Sequence, residues 1–308
     1  MGSTRARDAG FPERAGVDAS PWRDLATQFL LVFAAALFYF LVRGATQGSV
    51  ERSEENARSI LRLERWAGLD LERGAQELID THDSLITLSN WVYIWGHWPV
   101  LIGTLFALYR WCRRDYLWLR NGLFVSGAIG MIIYATFPVA PPRLLDPQFR
   151  DTVTELSRSY RVLQPPGLIN RYAAMPSLHA GWNLLAGIAI VRASRLALIR
   201  ALGVVGPIAM AFAVVSTGNH FVLDVVGGTV VALTGAFFAE RWWPGVRRTR
   251  PPAPTVRPVE RRVELGDETD IVDDQSGTSD RHQLGCALPI VDGPRAQMIR
   301  DAAKPLGD

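Results

Sequence analysis

Six long apolar runs constrain this chain more than any other feature, because each is long enough to cross a bilayer as a helix. A membrane-spanning helix needs about 20 predominantly apolar residues. In lipid its backbone groups must also be satisfied within the segment, which a helix achieves. The predicted fold class is therefore all-α, a polytopic membrane protein built as a six-helix transmembrane bundle. The predicted spans lie near residues 25–42, 86–109, 121–140, 173–191, 196–217 and 221–239.

Polar segments frame the apolar runs and divide the chain into three predicted parts. Residues 1–24 form a polar inner N-terminus, residues 25–240 the membrane catalytic domain, and residues 241–308 a disordered inner tail that is first basic and then acidic. These ends dilute the mean hydropathy to +0.09, although 48% of the residues are hydrophobic. Between the first two spans, apolar residues recur with helical spacing among charges, which predicts an amphipathic helical segment at the outer interface.

The distribution of arginine predicts the orientation of the chain. Arginines concentrate in the N-terminal segment, in 110–120, in 192–200 and from 241 onward. By the positive-inside rule these segments are cytoplasmic. The prediction is a multi-pass plasma-membrane protein with both termini cytoplasmic and its active site on the extracytoplasmic side. The net charge of +3 suits an inner surface that touches anionic lipid. No nucleic-acid module is present, and no obligate protein partner is evident.

Two short polar stretches each place a histidine where an apolar run begins. His179 lies within AMPSLHAGW, and His220 lies within TGNHFVLD. Ionisable side chains at such boundaries are costly unless they are paired or face water, so they indicate a functional site. Pro176 and Ser177 suit the start of a helix, whose free N–H groups favour an anion such as phosphate.

The spacing of His220 and Asp224 predicts a catalytic pair. Residues four apart lie on the same face of a helix, and a carboxylate at that position can accept the Nδ1 proton of the imidazole. Nε2 of His220 is then free to act as a nucleophile on phosphorus. His179 is the candidate general acid that protonates the leaving oxygen, and afterwards the base for an incoming water or alcohol.

Five further residues are predicted to contact the phosphate. Ser177 would donate a hydrogen bond to a phosphate oxygen, and backbone N–H groups around Gly218 and Asn219 would cradle the others. Arg143 and Arg171 would supply the positive charge that a transferring phosphoryl group needs. For Ser177 a simple helix cap stays open, and for the arginines a contact with lipid headgroups stays open.

The two histidine motifs resemble the second and third signatures of the type 2 phosphatidic acid phosphatase superfamily. The sequences AMPSLHAGW, TGNHFVLDVVGG and FPVAPPR are similar to the branch of lipid phosphotransferases that includes inositol phosphorylceramide synthase. The resemblance extends over roughly residues 25–240. It implies a membrane enzyme that passes a phosphoryl headgroup, such as inositol phosphate, to an alcohol acceptor. The proposed chemistry requires no metal and no cofactor, and no metal-ligand spacing is present.

The chain departs from the superfamily pattern at two places. The usual first signature is Lys, six residues, then Arg-Pro, and its nearest match here is Arg113 followed by Arg120 and Asn121. The predicted topology puts that stretch on the inner side, away from the histidines. The third signature usually has an arginine six residues before its histidine, where this chain has Val214. Both departures favour the phosphotransferase branch and put phosphate binding by the usual arginines in doubt.

The preferred function is an inositol-phosphotransferase-like enzyme that acts on a membrane lipid carrying a phosphate. The residues alone do not choose between hydrolysis and transfer, because water and an alcohol such as inositol would use the same base, His179. The alternative is a lipid phosphate or polyprenyl (pyro)phosphate phosphatase. A transporter or a non-enzymatic scaffold is disfavoured by nearly uncharged span centres and by the intact histidine motifs. For the mid-span His97, a hydrogen bond to a neighbouring helix is preferred over a proton relay.

Overall fold

The computed structural model describes residues 21–45, 48–156 and 170–242, and within these residues the fold is all-helical. A single isolated parallel bridge, between Val139 and Ala173, joins two loops of the described chain. The helices are α1 Pro21–Ala45, α2 Val50–Ala67, α3 Glu72–Asp80, α4 Asp83–Trp95, α5 Trp98–Trp111, α6 Arg113–Thr136, α7 Pro142–Leu145, α8 Thr152–Leu156, α9 Leu178–Ala193, α10 Ala197–Ser216 and α11 Val222–Trp242.

Four helices of the described chain are long and apolar enough to span a membrane, namely α1, α6, α10 and α11. A fifth span results if α4 and α5, which are bent by 44° at a short break, are counted as one. The predicted fourth span corresponds to α9, which has only 16 residues and therefore rises about 24 Å. The membrane character of the chain is thus confirmed, whereas the count of six spans stays a prediction.

Helix α9 lies at the centre of the bundle and contacts α5, α6, α10 and α11. Glycines allow the helix backbones to approach closely, as is common where membrane helices pack. A Cβ added at Gly181 would lie 2.4 Å from the carbonyl oxygen of Gly228 on α11, and one added at Gly187 would lie 2.3 Å from that of Gly203 on α10. The same close approach joins α6 to α11. These contacts bring the starts of α9 and α11, which carry the two histidine motifs, to the same end of the bundle.

The amphipathic segment predicted between the first two spans contains the helices α2 and α3. On α2 the buried residues Ser53, Ala57, Ile60 and Glu64 recur every three or four positions and so form one stripe. This stripe faces the end of the bundle that holds the histidine motifs. The placement of the segment at an outer membrane interface stays a prediction.

The polar ends of the chain lie largely outside the described residues. Of the predicted N-terminal segment 1–24, the structure describes only residues 21–24, at the start of α1. Of the predicted tail 241–308, it describes only residues 241 and 242, at the end of α11. Residues 157–169, between the third and fourth predicted spans, also lie outside the description.

Candidate active site

A tight turn between α10 and α11 carries His220. Gly218 adopts a positive φ of 69°, which is unfavourable for residues with a side chain. The backbone N–H groups of Asn219 and His220 both donate to the carbonyl oxygen of Val214, and that of Gly218 donates to Val215. The predicted backbone cradle at Gly218 and Asn219 is therefore occupied by hydrogen bonds within the turn.

His220 is held through its Nδ1 atom. That atom lies 2.8 Å from the carbonyl oxygen of Ala174 and 3.4 Å from Oδ2 of Asp224. A carbonyl oxygen can only accept a hydrogen bond, so Nδ1 carries the proton and donates it. The expected neighbourhood of His220 and Asp224 is present, but the shorter contact of Nδ1 is to Ala174. In the neutral ring, Nε2 then has a free lone pair.

Three carboxylates cap the start of α11. Oδ2 of Asp224 accepts the N–H of Phe221 at 2.8 Å. Glu72 accepts the N–H of Val222 at 2.8 Å, and Glu64 accepts that of Leu223 at 2.7 Å. A helix start has free N–H groups and a partial positive charge, both of which favour anions. Here these N–H groups are used by the protein's own side chains.

His179 projects from the first turn of α9. Ser177 is the N-cap of this helix and is fully buried, and its hydroxyl accepts from the N–H of Ala180 over 3.5 Å. The ring centroid of His179 lies 6.2 Å from that of His220. Both rings line one cavity. Ser177, which is predicted to contact the phosphate, is not among the described residues that line this cavity. The structure thus places Ser177 as a cap that orients the helix start.

A third histidine packs directly against His179. The ring of His97 is 4.2 Å from it, and the ring of Tyr93 stacks on it at 4.7 Å. The side-chain nitrogen of Asn183 lies 2.9 Å from the carbonyl oxygen of His179 and 2.9 Å from Nδ1 of His97. The amide NH₂ group of Asn183 therefore donates to both, and Nδ1 of His97 accepts. The hydrogen bond to a neighbouring helix that the sequence favoured is present, and it lies beside the candidate acid.

Arg143 enters the cavity from the short helix α7, which follows α6. Its guanidinium forms an ion pair with Asp151 at 3.1 Å and donates to Oδ1 of Asn219. Its side chain is 13% exposed, so it is held rather than free to sample solvent. Arg171 also lines the cavity, from the opposite loop, and is exposed there. Two predicted arginines and the side chain of Asn219 are therefore brought together with both histidines.

The cavity is also lined by residues that the sequence did not single out. Three tyrosines and an asparagine contribute, from α1, α4, α6 and the loop before α9, and no short motif marks them. They are Tyr39, Tyr93, Tyr134 and Asn170. Within the described chain, no group of three or more His, Cys, Asp or Glu side chains is arranged to hold a metal ion.

The nearest match to the usual first signature lies far from this cavity. Arg113 pairs with Asp24 at 2.8 Å, and Arg120 donates to Gln28 and Asn121. Arg120 precedes the cavity residue Tyr134 on α6 by roughly four helical turns, or about 20 Å. These arginines belong to the opposite end of the bundle, as the predicted topology required.

A family model described as the PAP2 superfamily matches residues 58–238. The chain belongs to the PAP2 superfamily. No curated protein and no solved structure matches it. Membership in the PAP2 superfamily supports an enzyme with a phosphatase-type activity on lipid phosphate in a membrane protein. The match begins on α2 and ends on α11, so it includes both histidine motifs and the capping carboxylates of this PAP2 protein.

Proposed function

We propose that this protein is a lipid phosphotransferase that works through a phosphohistidine on His220. The observation that carries the proposal is the bond from Nδ1 of His220 to the carbonyl of Ala174. It leaves the lone pair on Nε2, on a ring that lines the same cavity as His179 and Arg143. A nucleophile, an acid and a cation then converge on one space that a phosphoryl group can occupy.

The proposed reaction has two displacements at phosphorus. The lone pair of Nε2 of His220 forms the N–P bond, the P–O bond to the lipid breaks, and His179 gives its proton to the departing oxygen. In the second step an acceptor hydroxyl attacks phosphorus, its proton passes to His179, and the N–P bond breaks. Arg143 and Arg171 stabilise the negative charge on the phosphoryl oxygens in both steps.

A polyol such as inositol is the proposed acceptor. The lining of the cavity supports this choice, since three tyrosines and Asn170 line it together with the two histidines. Such groups can form hydrogen bonds with several hydroxyls of one acceptor. The resemblance to phosphotransferases related to inositol phosphorylceramide synthase independently supports transfer to an alcohol rather than to water. Hydrolysis of a lipid phosphate or pyrophosphate is the alternative, with water taking the place of the polyol.

The test offers the purified protein a panel of lipid phosphates and phosphodiesters, with and without inositol or glycerol. A transferase forms a new phosphodiester only when the acceptor is present. A phosphorylated protein that survives an alkaline quench is expected with the wild type and not with His220→Ala. Release of free phosphate at a rate that inositol does not change would overturn transfer in favour of hydrolysis. Turnover by His220→Ala at the wild-type rate would overturn the histidine mechanism.

The site is proposed to face the extracytoplasmic side of the plasma membrane. The side chains of Arg113, Arg120 and Arg192 lie at the end of the bundle opposite the histidines. By the positive-inside rule, this arginine-bearing end is expected in the cytoplasm. A cysteine introduced at the exposed Glu77 on α3 should react with an impermeant thiol reagent in intact cells. The variant should therefore be labelled more strongly than the unsubstituted protein. A cysteine at the exposed Ala197 should not react. The reverse labelling would move the site to the inner leaflet.

A further inference from the structure

Glu64 and Glu72 are acidic, almost fully buried, and outside the set of residues that the proposed chemistry uses. Glu64 is 0% and Glu72 1% exposed. They come from α2 and α3, whereas the N–H groups that they accept belong to Val222 and Leu223 on α11. Burying a carboxylate is costly unless hydrogen bonds compensate for the loss of water. The position of both side chains at the start of α11 therefore calls for a role.

The two carboxyl groups also act on each other. Oε1 of each accepts a backbone N–H, whereas Oε2 of each is buried without a hydrogen-bond partner in the described chain. A proton held by one of the two groups would let them share a hydrogen bond, which two ionised carboxylates cannot do because both can only accept. Burial, together with the nearby charges of Glu72 and Asp224, raises the pKa of Glu64 to about 8. Burial likewise raises the pKa of Glu72.

Two further acidic groups act on this pair. Asp224 faces Glu64 from α11, and Asp70 faces Glu72 from the turn before α3. Asp224 is in turn next to His220. A second negative charge on the pair would therefore repel Asp224 and strain the turn that holds the histidine. With one shared proton, the pair satisfies two N–H groups of α11 and carries a single negative charge.

We propose that Glu64 and Glu72 are positioning residues that, by sharing one proton, lock the start of α11 and thereby aim His220 at the cavity. This proposal rests on the proposed function, because it assumes that His220 is the nucleophile whose orientation matters. Loss of the proton at alkaline pH would give three negative charges at the start of α11 and release the turn. The pair thus sets an upper pH limit for the site, acting through position rather than through contact with the substrate.

Glu64→Gln is the informative substitution. The amide oxygen still accepts from Leu223, and the amide nitrogen donates to Glu72, so the variant is fixed in the singly charged arrangement. Glu64→Ala removes the acceptor altogether. Glu77→Gln is the matched control, because Glu77 is an exposed glutamate on the same segment.

The first measurement is the ratio of wild-type turnover to that of Glu64→Gln across pH, in which ionisations common to both proteins cancel. We expect a ratio that is constant below about pH 7 and falls about tenfold per pH unit above about 8. The ratio to Glu77→Gln stays flat. At neutral pH, Glu64→Ala loses at least about tenfold in turnover, and Glu64→Gln restores it. A flat ratio for Glu64→Gln, or full activity of Glu64→Ala, would overturn the proposal.

The second measurement requires no substrate and so separates this proposal from the proposed function. Unfolded Glu64 releases its proton near pH 4.5, whereas the folded residue keeps it to about 8. The folded state binds more protons between those values, so wild-type stability relative to Glu64→Gln falls as the pH rises through that window and is constant above it. Thermal unfolding in detergent measures this. Parallel curves for the two proteins would overturn the proposal, whatever lipid the enzyme accepts.

Discussion

Nδ1 of His220 donates a hydrogen bond to the carbonyl oxygen of Ala174 across 2.8 Å. This bond joins the loop before one histidine motif to the turn that carries the other. A carbonyl oxygen has no proton to give, so the bond by itself determines which ring nitrogen is protonated. Asp224, at 3.4 Å, caps Phe221 and, in the proposed reaction, stabilises the imidazolium that forms when Nε2 attacks phosphorus.

The first prediction concerns the separate roles of Ala174 and Asp224 beside His220. Asp224→Asn keeps an oxygen that can accept from Phe221, and Ala174 keeps the tautomer, so only the negative charge is lost. We expect turnover to fall by about 10- to 100-fold, with the fold intact. His220→Ala should abolish turnover. Steady-state kinetics with circular dichroism as the folding control measures both, and a complete loss in Asp224→Asn would mean that Asp224 sets the tautomer after all.

The second prediction concerns His97, which packs on His179 and accepts from Asn183. His97→Ala removes both constraints on the candidate acid, so we expect turnover of a lipid substrate to fall about tenfold. A substrate whose leaving group is an acidic phenol requires little protonation and should lose much less. His82→Ala, at an exposed histidine of the described chain, is the control. Equal losses on both substrates would contradict a role through His179.

The third prediction distinguishes the arginines at the two ends of the bundle. The planar guanidinium of Arg143 can meet two phosphate oxygens at once, which an ammonium cannot reproduce. Arg143→Lys should therefore lose about tenfold or more in kcat/KM, equivalent to about 1.4 kcal/mol. Arg120→Lys, about 20 Å along α6 from the cavity, should keep wild-type kinetics. Loss of activity in Arg120→Lys alone would return phosphate binding to the usual first signature.

The fourth prediction tests the close approach of α9 and α11. A Cβ at Gly228 would lie 2.1 Å from the backbone oxygen of Ser177, which cannot yield as a side chain can. Gly228→Ala should lower the free energy of unfolding by about 2 kcal/mol and reduce turnover, since it pushes the two motifs apart. A Cβ at Gly206 has no atom within 4 Å. Gly206→Ala should be neutral or stabilising by about 0.5–1 kcal/mol. Thermal unfolding distinguishes the two, and equal effects would argue against the close approach.

Local patterns in the sequence determined the helical, membrane-spanning character of this protein and the two motifs that carry His179 and His220. An apolar run commits its own residues to a helix in lipid, because each helix satisfies its backbone without help from the rest of the chain. The i, i+4 spacing of His220 and Asp224 is equally local. The PAP2 superfamily match bears out the superfamily that these motifs indicated, while the phosphotransferase branch stays a proposal.

Only the tertiary structure decided which distant residues meet these motifs. The bond from Leu223 to Glu64 joins residues 159 positions apart, and the contact between Asn183 and His97 joins residues 86 positions apart. No periodicity records such pairings, since they depend on how the helices cross. The same holds for Ala174, whose side chain is uninformative and whose backbone oxygen orients His220. The sequence thus identifies His179 and His220 as the candidate reactive residues. The packing of α2, α3, α9 and α11 determines the hydrogen bonds and the orientation of their rings.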